Sequence, residues 1–102
     1  MKQTKLTKSA RDEECTLQIH PYCNGDTETT VLCHINSMDK GIGYKSKDFF
    51  ACFGCSDCHD IIDGRRRTDL SELEIKKCIM RALYRTWLRW IEKGLIEIDG
   101  FS

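Results

Sequence analysis

At 102 residues the chain forms one domain, 1–102, too short for two independent cores. Its 16 basic and 16 acidic side chains cancel, which argues against indiscriminate binding of polyanions. No apolar run approaches the roughly 18 residues that span a bilayer, and the polar opening MKQTKLTKSARDEEC has no apolar core for a secretory signal. The expected setting is the cytoplasm, with no membrane partner and with thiols kept reduced.

In chain order, residues 1–10 are Lys- and Thr-rich with Leu6 as their apolar anchor, and are expected to fray. From Cys15 the stretch CTLQIHPYC alternates weakly through Leu17 and Ile19, then turns at Pro21 and at Asn24-Gly25. β-Branched and apolar side chains make Thr29 to Ile35 a strand. Residues 36–48, NSMDKGIGYKSKD, read as a polar, Gly-containing loop, and Phe49 to Phe53 as a second short strand. Ser56 or Asp57 can cap a helix that ends at Gly64. Asp69 or Ser71 then opens a long helix over 69–93, with Glu72 and Glu74 suited to its positive N-terminal end. Its apolar positions Ile75, Ile79, Ala82, Leu83, Trp87 and Trp90 recur at helical spacing, together with Thr86, and Gly94 stops it. Leu95 to Ile98 can add a terminal strand. The sum is an α+β domain with little sheet, marginal without a metal.

There are 7 cysteines, an odd count in a chain without an export signal, which favours metal binding over a disulfide framework. Cys55-x2-Cys58 is a zinc knuckle: two intervening residues let both sulfurs face one ion about 2.3 Å away. A closed tetrahedral site needs a second pair. Cys15-x7-Cys23 supplies it if the turns at Pro21 and Asn24-Gly25 fold that segment back. Cys15, Cys23, Cys55 and Cys58 are therefore the expected ligands of one structural Zn2+. Cys52 and Cys78 read as small core hydrophobes, and Cys33 as a core thiol or a contact to a second metal.

His34 closes the first strand. His59 and Asp63 are four apart on the short helix, so one helical face presents both to one point. An imidazole with a carboxylate suits a divalent cation that keeps open water positions. Each also has an ordinary reading: His59 can cap a turn or ligate the zinc, and Asp63 can be a solvated acid beside Arg65–Arg67.

Val31-Leu32-Cys33-His34-Ile35, a Gly-bearing loop and Cys55-x2-Cys58-His59 together resemble the His-Asn-His (HNH) nucleases of the ββα-metal fold. More closely, ARDEEC…YCNGDTETTVLCHI…CSDCHDIID is similar to the small prophage-encoded family typified by YbcO, over roughly residues 9–65. The resemblance implies a small zinc-stapled, HNH-like ββα-metal domain carrying an additional long C-terminal amphipathic helix. It implies His34 as the general base that activates water against phosphorus, and His59 and Asp63 as ligands of a catalytic Mg2+ or Mn2+. The middle Asn of the motif has no match; Asp48, just before the second strand, is the nearest residue for positioning the loop. The residue before the base, often an Asp or His ligand in such nucleases, is Cys33. The implied function is a metal-dependent endonuclease hydrolysing phosphodiester bonds, in DNA more than RNA, during phage or prophage recombination or processing. The alternative is a non-catalytic zinc-binding module for nucleic acid or a protein partner. A redox or zinc-storage role fits less well, because the thiols are structurally committed.

Positive charge is concentrated: residues 61–93 hold 9 Lys or Arg against 5 Asp or Glu, whereas 1–60 hold 7 against 9. Lys77, Arg81, Arg85 and Arg89 recur every four residues along one face of the long helix, behind Arg65, Arg66 and Arg67. They read as a solvated face or, beside a nuclease site, as phosphate contacts made by Arg65, Arg66, Arg67, Lys77, Arg81 and Arg85. Trp87 and Trp90 read as core contacts or as contacts in a homodimer, with base stacking the lesser alternative.

Overall fold

A computed structural model of the chain describes residues 4–35 and 48–100. Apart from Asp48, the loop expected over 36–48 lies outside the described residues. The elements are α1 (Lys5–Ser9), β1 (Val31–His34), β2 (Ala51–Gly54), α2 (Ser56–Ile62) and α3 (Glu72–Glu92), with a 3-10 turn at Thr27–Thr29 before β1.

β1 and β2 pair antiparallel, with Val31 opposite Gly54, Leu32 opposite Phe53, Cys33 opposite Cys52 and His34 opposite Ala51. Side chains alternate across a strand, and here both faces of the ribbon are covered. Cys33 and Cys52 face a core shared with Leu17, Ile19, Cys58 and Ile61. Leu32, Ala51 and Phe53 face another, shared with Ala10 and Trp90. Burial on both sides explains why β2 is apolar without alternation. It also explains how two strands suffice, because α3 crosses both cores, giving Ala82 to the first and Trp90 to the second.

α3 starts at Glu72 rather than Asp69. The Ser71 hydroxyl accepts from the Glu74 amide at 3.1 Å, while Asp69 is turned away to accept the Tyr22 hydroxyl at 2.7 Å. Gly94, at φ +73, ends the helix where an L side chain would be strained. Thr86 is fully buried on the apolar stripe, and its hydroxyl meets the Phe53 amide at 3.2 Å and the Thr16 hydroxyl at 3.0 Å. Helix, strand and the cysteine-bearing segment are thereby tied at one buried oxygen. Trp90 is buried edge-on against Phe53, and Trp87 donates to the Phe49 carbonyl at 2.7 Å. Both indoles are accounted for within the chain.

Four expectations are corrected. Residues 5–9 are a helix, not a frayed end: the Thr4 hydroxyl caps the Thr7 amide at 3.1 Å, and Ser9 accepts the Trp90 indole N–H at 2.7 Å. The first strand begins at Val31 because Asp26 caps the 3-10 turn that holds Thr29. No strand forms at 95–98: the Leu95 amide folds back to the Trp90 carbonyl at 2.9 Å, and Leu95 and Ile96 pack on the Trp90 core. The second strand starts at Ala51 rather than Phe49 and runs on through Gly54, where a Cβ would lie 2.6 Å from the Cys33 sulfur. Among the described residues no helix is long and apolar enough to cross a membrane.

Candidate functional site

The sulfurs of Cys15, Cys23, Cys55 and Cys58 all lie within 4.8 Å of one another. The seven-residue spacing closes because the Tyr22 and Cys23 amides both donate to the Ile19 carbonyl, at 2.9 and 2.8 Å. Beyond Cys23, the Asn24 side chain accepts from the Asp26 amide and donates to Asp57 at 2.9 Å, binding this segment to the first turn of α2. A tetrahedron with metal–sulfur bonds of about 2.3 Å sets its sulfurs about 3.8 Å apart; Cys55 and Cys23 are 3.9 Å apart. The amides of Gln18 and Ile19 point at Cys15 and Cys58, each at 3.4 Å, as outer donors that orient thiolate ligands. The Cys15 thiol is drawn down to about 5, chiefly by hydrogen bonding to Cys58, whose own thiol is pushed up by that contact and by burial. Cys23 is pushed up to about 11, chiefly by burial. A divalent cation among such close sulfurs would favour their thiolate forms by offsetting the repulsion between them. The four residues fit a thiolate-bound metal ion. Cys33 and Cys52, fully buried and pushed up chiefly by burial, are core thiols.

His34, at the end of β1, has its Nε2 2.7 Å from Asp48 Oδ1. Hydrogen bonds from the Thr4 hydroxyl and then from His34 hold the Asp48 carboxyl below the usual carboxylate range. An ionised carboxylate only accepts, so Nε2 of the neutral ring carries the proton and the lone pair sits on Nδ1. Asp48, singled out as a loop-positioning residue, therefore meets the imidazole directly.

On α2, His59 Nε2 and Asp63 Oδ2 lie 3.0 Å apart. Asp63 itself is the C-cap rather than a helical residue. Two adjacent ligands on an octahedral ion with bonds of about 2.1 Å are also about 3.0 Å apart, so the pair fits one such cation. Alternation along β1 gives His34 the Leu32 side of the ribbon, whereas α2 packs on the Cys33 side. Among the described residues, the four cysteines form the cluster of three or more ligand groups; His34, His59 and Asp63 do not join into another. Two open grooves, one lined by Thr7, Lys8 and Arg11, the other by Glu13, Arg85 and Arg89, include neither histidine. The imidazoles sit on a surface, with side chains 22% and 27% exposed, which suits a large substrate better than a small one.

The basic residues divide into two sets. Arg65 pairs with Asp60 and Asp63, and Arg66 pairs with Asp57 while stacking over the Tyr22 ring. Arg81 donates to the Leu17 and Gln18 carbonyls at 2.9 and 3.3 Å, and Arg85 to the Gln18 side chain at 2.9 Å. The spacing that suggests a solvated face thus also holds the cysteine-bearing segment, where Gln18 sits at φ +45. Arg67 and Lys77 are exposed, with no polar partner among the described residues. Thr4 is the residue that sequence reasoning misses. A Thr three positions before Thr7 is a local capping signal, but its bond to Asp48 spans 44 residues and leaves no local trace.

These features define a class: a small α+β domain with four clustered cysteines able to hold a metal ion and with two imidazole–carboxylate pairs. The family described as "Putative nuclease YbcO" matches residues 4–95, and the chain belongs to that family. It is 40% identical over 94 residues to the "Putative nuclease YbcO" of Escherichia coli (strain K12), covering 90% of this chain and 96% of that protein. The "Putative nuclease ybcO" of Enterobacteria phage 82 is similar to the same extent. A solved structure, "Structure of a putative bacteriophage protein from Escherichia coli str. K-12 substr. MG1655", matches with a TM-score of 0.73 at 37% identity, over 87% of this chain and 99% of that one.

Proposed function

We propose that the chain is a metal-dependent endonuclease of the HNH, ββα-metal type, hydrolysing phosphodiester bonds in DNA during phage or prophage recombination or processing. The observation that carries this reading is a part-exposed histidine at the end of the first strand, with Nε2 bound to a carboxylate and Nδ1 left to meet a water. The names of the relatives and the phage origin of one of them support the reaction class and the setting. Unpaired cysteines, four of them in one cluster, fit zinc as the structural ion and the cytoplasm as the compartment.

In this mechanism Nδ1 of His34 takes the proton of the attacking water, and the anionic Asp48 balances the imidazolium that forms. His59 and Asp63 would hold Mg2+ or Mn2+, which when bound offsets the charge that builds on the phosphate and the leaving oxygen. Arg67 and Lys77 contact backbone phosphates and set register. A nicking assay on supercoiled DNA with Mg2+ or Mn2+ tests the proposal. Wild type nicks, and His34→Ala loses about 10²–10⁴ in rate while zinc content and thermal stability hold. Equal rates for the two proteins would end the catalytic reading.

The rival reading is a non-catalytic zinc module that binds nucleic acid or a protein partner. It draws on Arg65, whose Nη2 lies 3.1 Å from Asp63 Oδ2 and there supplies the positive charge that a cation would bring.

A further inference from the structure

The hydroxyl of Thr4 has its bonding capacity filled. Its hydrogen goes to Asp48 Oδ2 at 2.6 Å, since a carboxylate offers nothing in return. Its lone pairs face the Thr7 amide at 3.1 Å and the Thr7 hydroxyl at 3.1 Å. Accepting from a helical amide polarises an O–H, and so strengthens the bond it donates. The other oxygen of the same carboxylate, Oδ1, is the one on His34. Asp48 is thus held at both oxygens, each by a different group, and its plane cannot turn without breaking one bond.

The donor is as firmly placed as the acceptor. α1 is fixed at its far end by Ser9, whose hydroxyl accepts from the buried Trp90 indole at 2.7 Å, while Ala10 is buried beside Leu32. Leu32 is two residues before His34 on the same side of β1. The N-cap of α1 and the imidazole are therefore carried by one packed core. Asp48 and His34 side chains are 30% and 22% exposed, so water competes with these bonds only in part.

We infer that Thr4 is a positioning residue for the candidate base: from the N-cap of α1 its hydroxyl holds Asp48, which holds His34 in the Nε2–H tautomer. The catalytic sense of this relay rests on the nuclease reading above; the hydrogen-bond chain does not.

The test joins two readouts on Thr4→Val, which keeps shape and loses the hydroxyl, and Thr4→Ser, which keeps it. Imidazole 15N spectra of substrate-free protein at a pH where the ring is neutral report the His34 tautomer. Wild type and Thr4→Ser show Nε2–H, and Thr4→Val shows a mixture. In nicking assays Thr4→Val loses about 10-fold to 100-fold in kcat with KM held, the scale of one hydrogen bond to a charged group, and Thr4→Ser restores it. Thr4→Val also loses the helix cap, which lowers thermal stability but gives no reason for a tautomer change. An unchanged tautomer with a lowered melting temperature would reduce Thr4 to a cap and overturn the inference. Mixed tautomers in Thr4→Val beside a wild type that nicks nothing would leave the chain standing and sink the nuclease reading instead.

Discussion

Burial should make a carboxylate harder to ionise, yet Glu13, with a side chain 15% exposed, ionises more readily than usual. Desolvation is outweighed by hydrogen bonds from Arg89, with Nε 3.0 Å from Oε1, and from Lys93. The folded-state pKa therefore lies below the unfolded one. The resulting stability is complete above the ordinary carboxylate range and is lost as pH falls through the folded value. Glu13→Gln is expected to cost about 1–2 kcal/mol at pH 7, because two cations lose a partly buried partner. The gap to wild type should narrow in acid, where wild-type Glu13 is protonated as well. Denaturation at matched metal load across this pH range checks both parts, and a gap that stays constant with pH would mark a packing defect instead. None of this can be read locally: Glu13 and Arg89 are 76 residues apart.

α3 shows which part of the fold is legible in sequence and which is not. Its apolar stripe, its Ser71 cap and its Gly94 stop are all encoded within a turn or two of one another, so periodicity finds them. The same holds for Cys55 and Cys58. α1 has no such pattern, because it is held by Trp90, 81 residues from Ser9. The basic stripe of α3 is legible as a stripe, but its contacts are not. Because Arg81 grips the Leu17 and Gln18 carbonyls, reversing Arg81 and Arg85 together is expected to do two things. It should loosen the segment between Cys15 and Cys23 and speed metal loss to a chelator, as well as weaken DNA binding and flatten its salt dependence. Reversing Arg67 and Lys77 should weaken DNA binding alone. Chelator-challenge kinetics and salt-dependent binding separate the pairs. Metal loss unchanged in Arg81→Glu/Arg85→Glu would show that the carbonyl contacts do not support the centre.

At the scale of the whole molecule, the two-stranded ribbon is held by the segments that cover its two faces, and those segments need anchoring in turn. The four cysteines join the segment before β1 to the start of α2. Metal binding is then folding free energy, so purified protein should carry one zinc per chain and Cys58→Ser should leave it unfolded or insoluble. Well under one zinc in folded protein would contradict this. The staple also fixes α2, and with it His59 and Asp63, against the Cys33 face, while α1 and Asp48 fix His34 from the Leu32 side. A single phosphate can use both only if the two pairs meet around the end of the ribbon where β1 stops at His34. A catalytic base and the cation it serves share one substrate group, and each needs hydrogen-bond or coordination distance to it. Mn2+ bound at His59 and Asp63 would then lie within about 10 Å of the His34 ring. Titrating zinc-loaded protein with Mn2+ should broaden the His34 ring resonances early and strongly, and His59→Ala should abolish that effect at low Mn2+ without changing the His34 signals of the ion-free protein. Selective broadening of His59 with a sharp His34 would separate the two pairs in space and return the molecule to the non-catalytic reading.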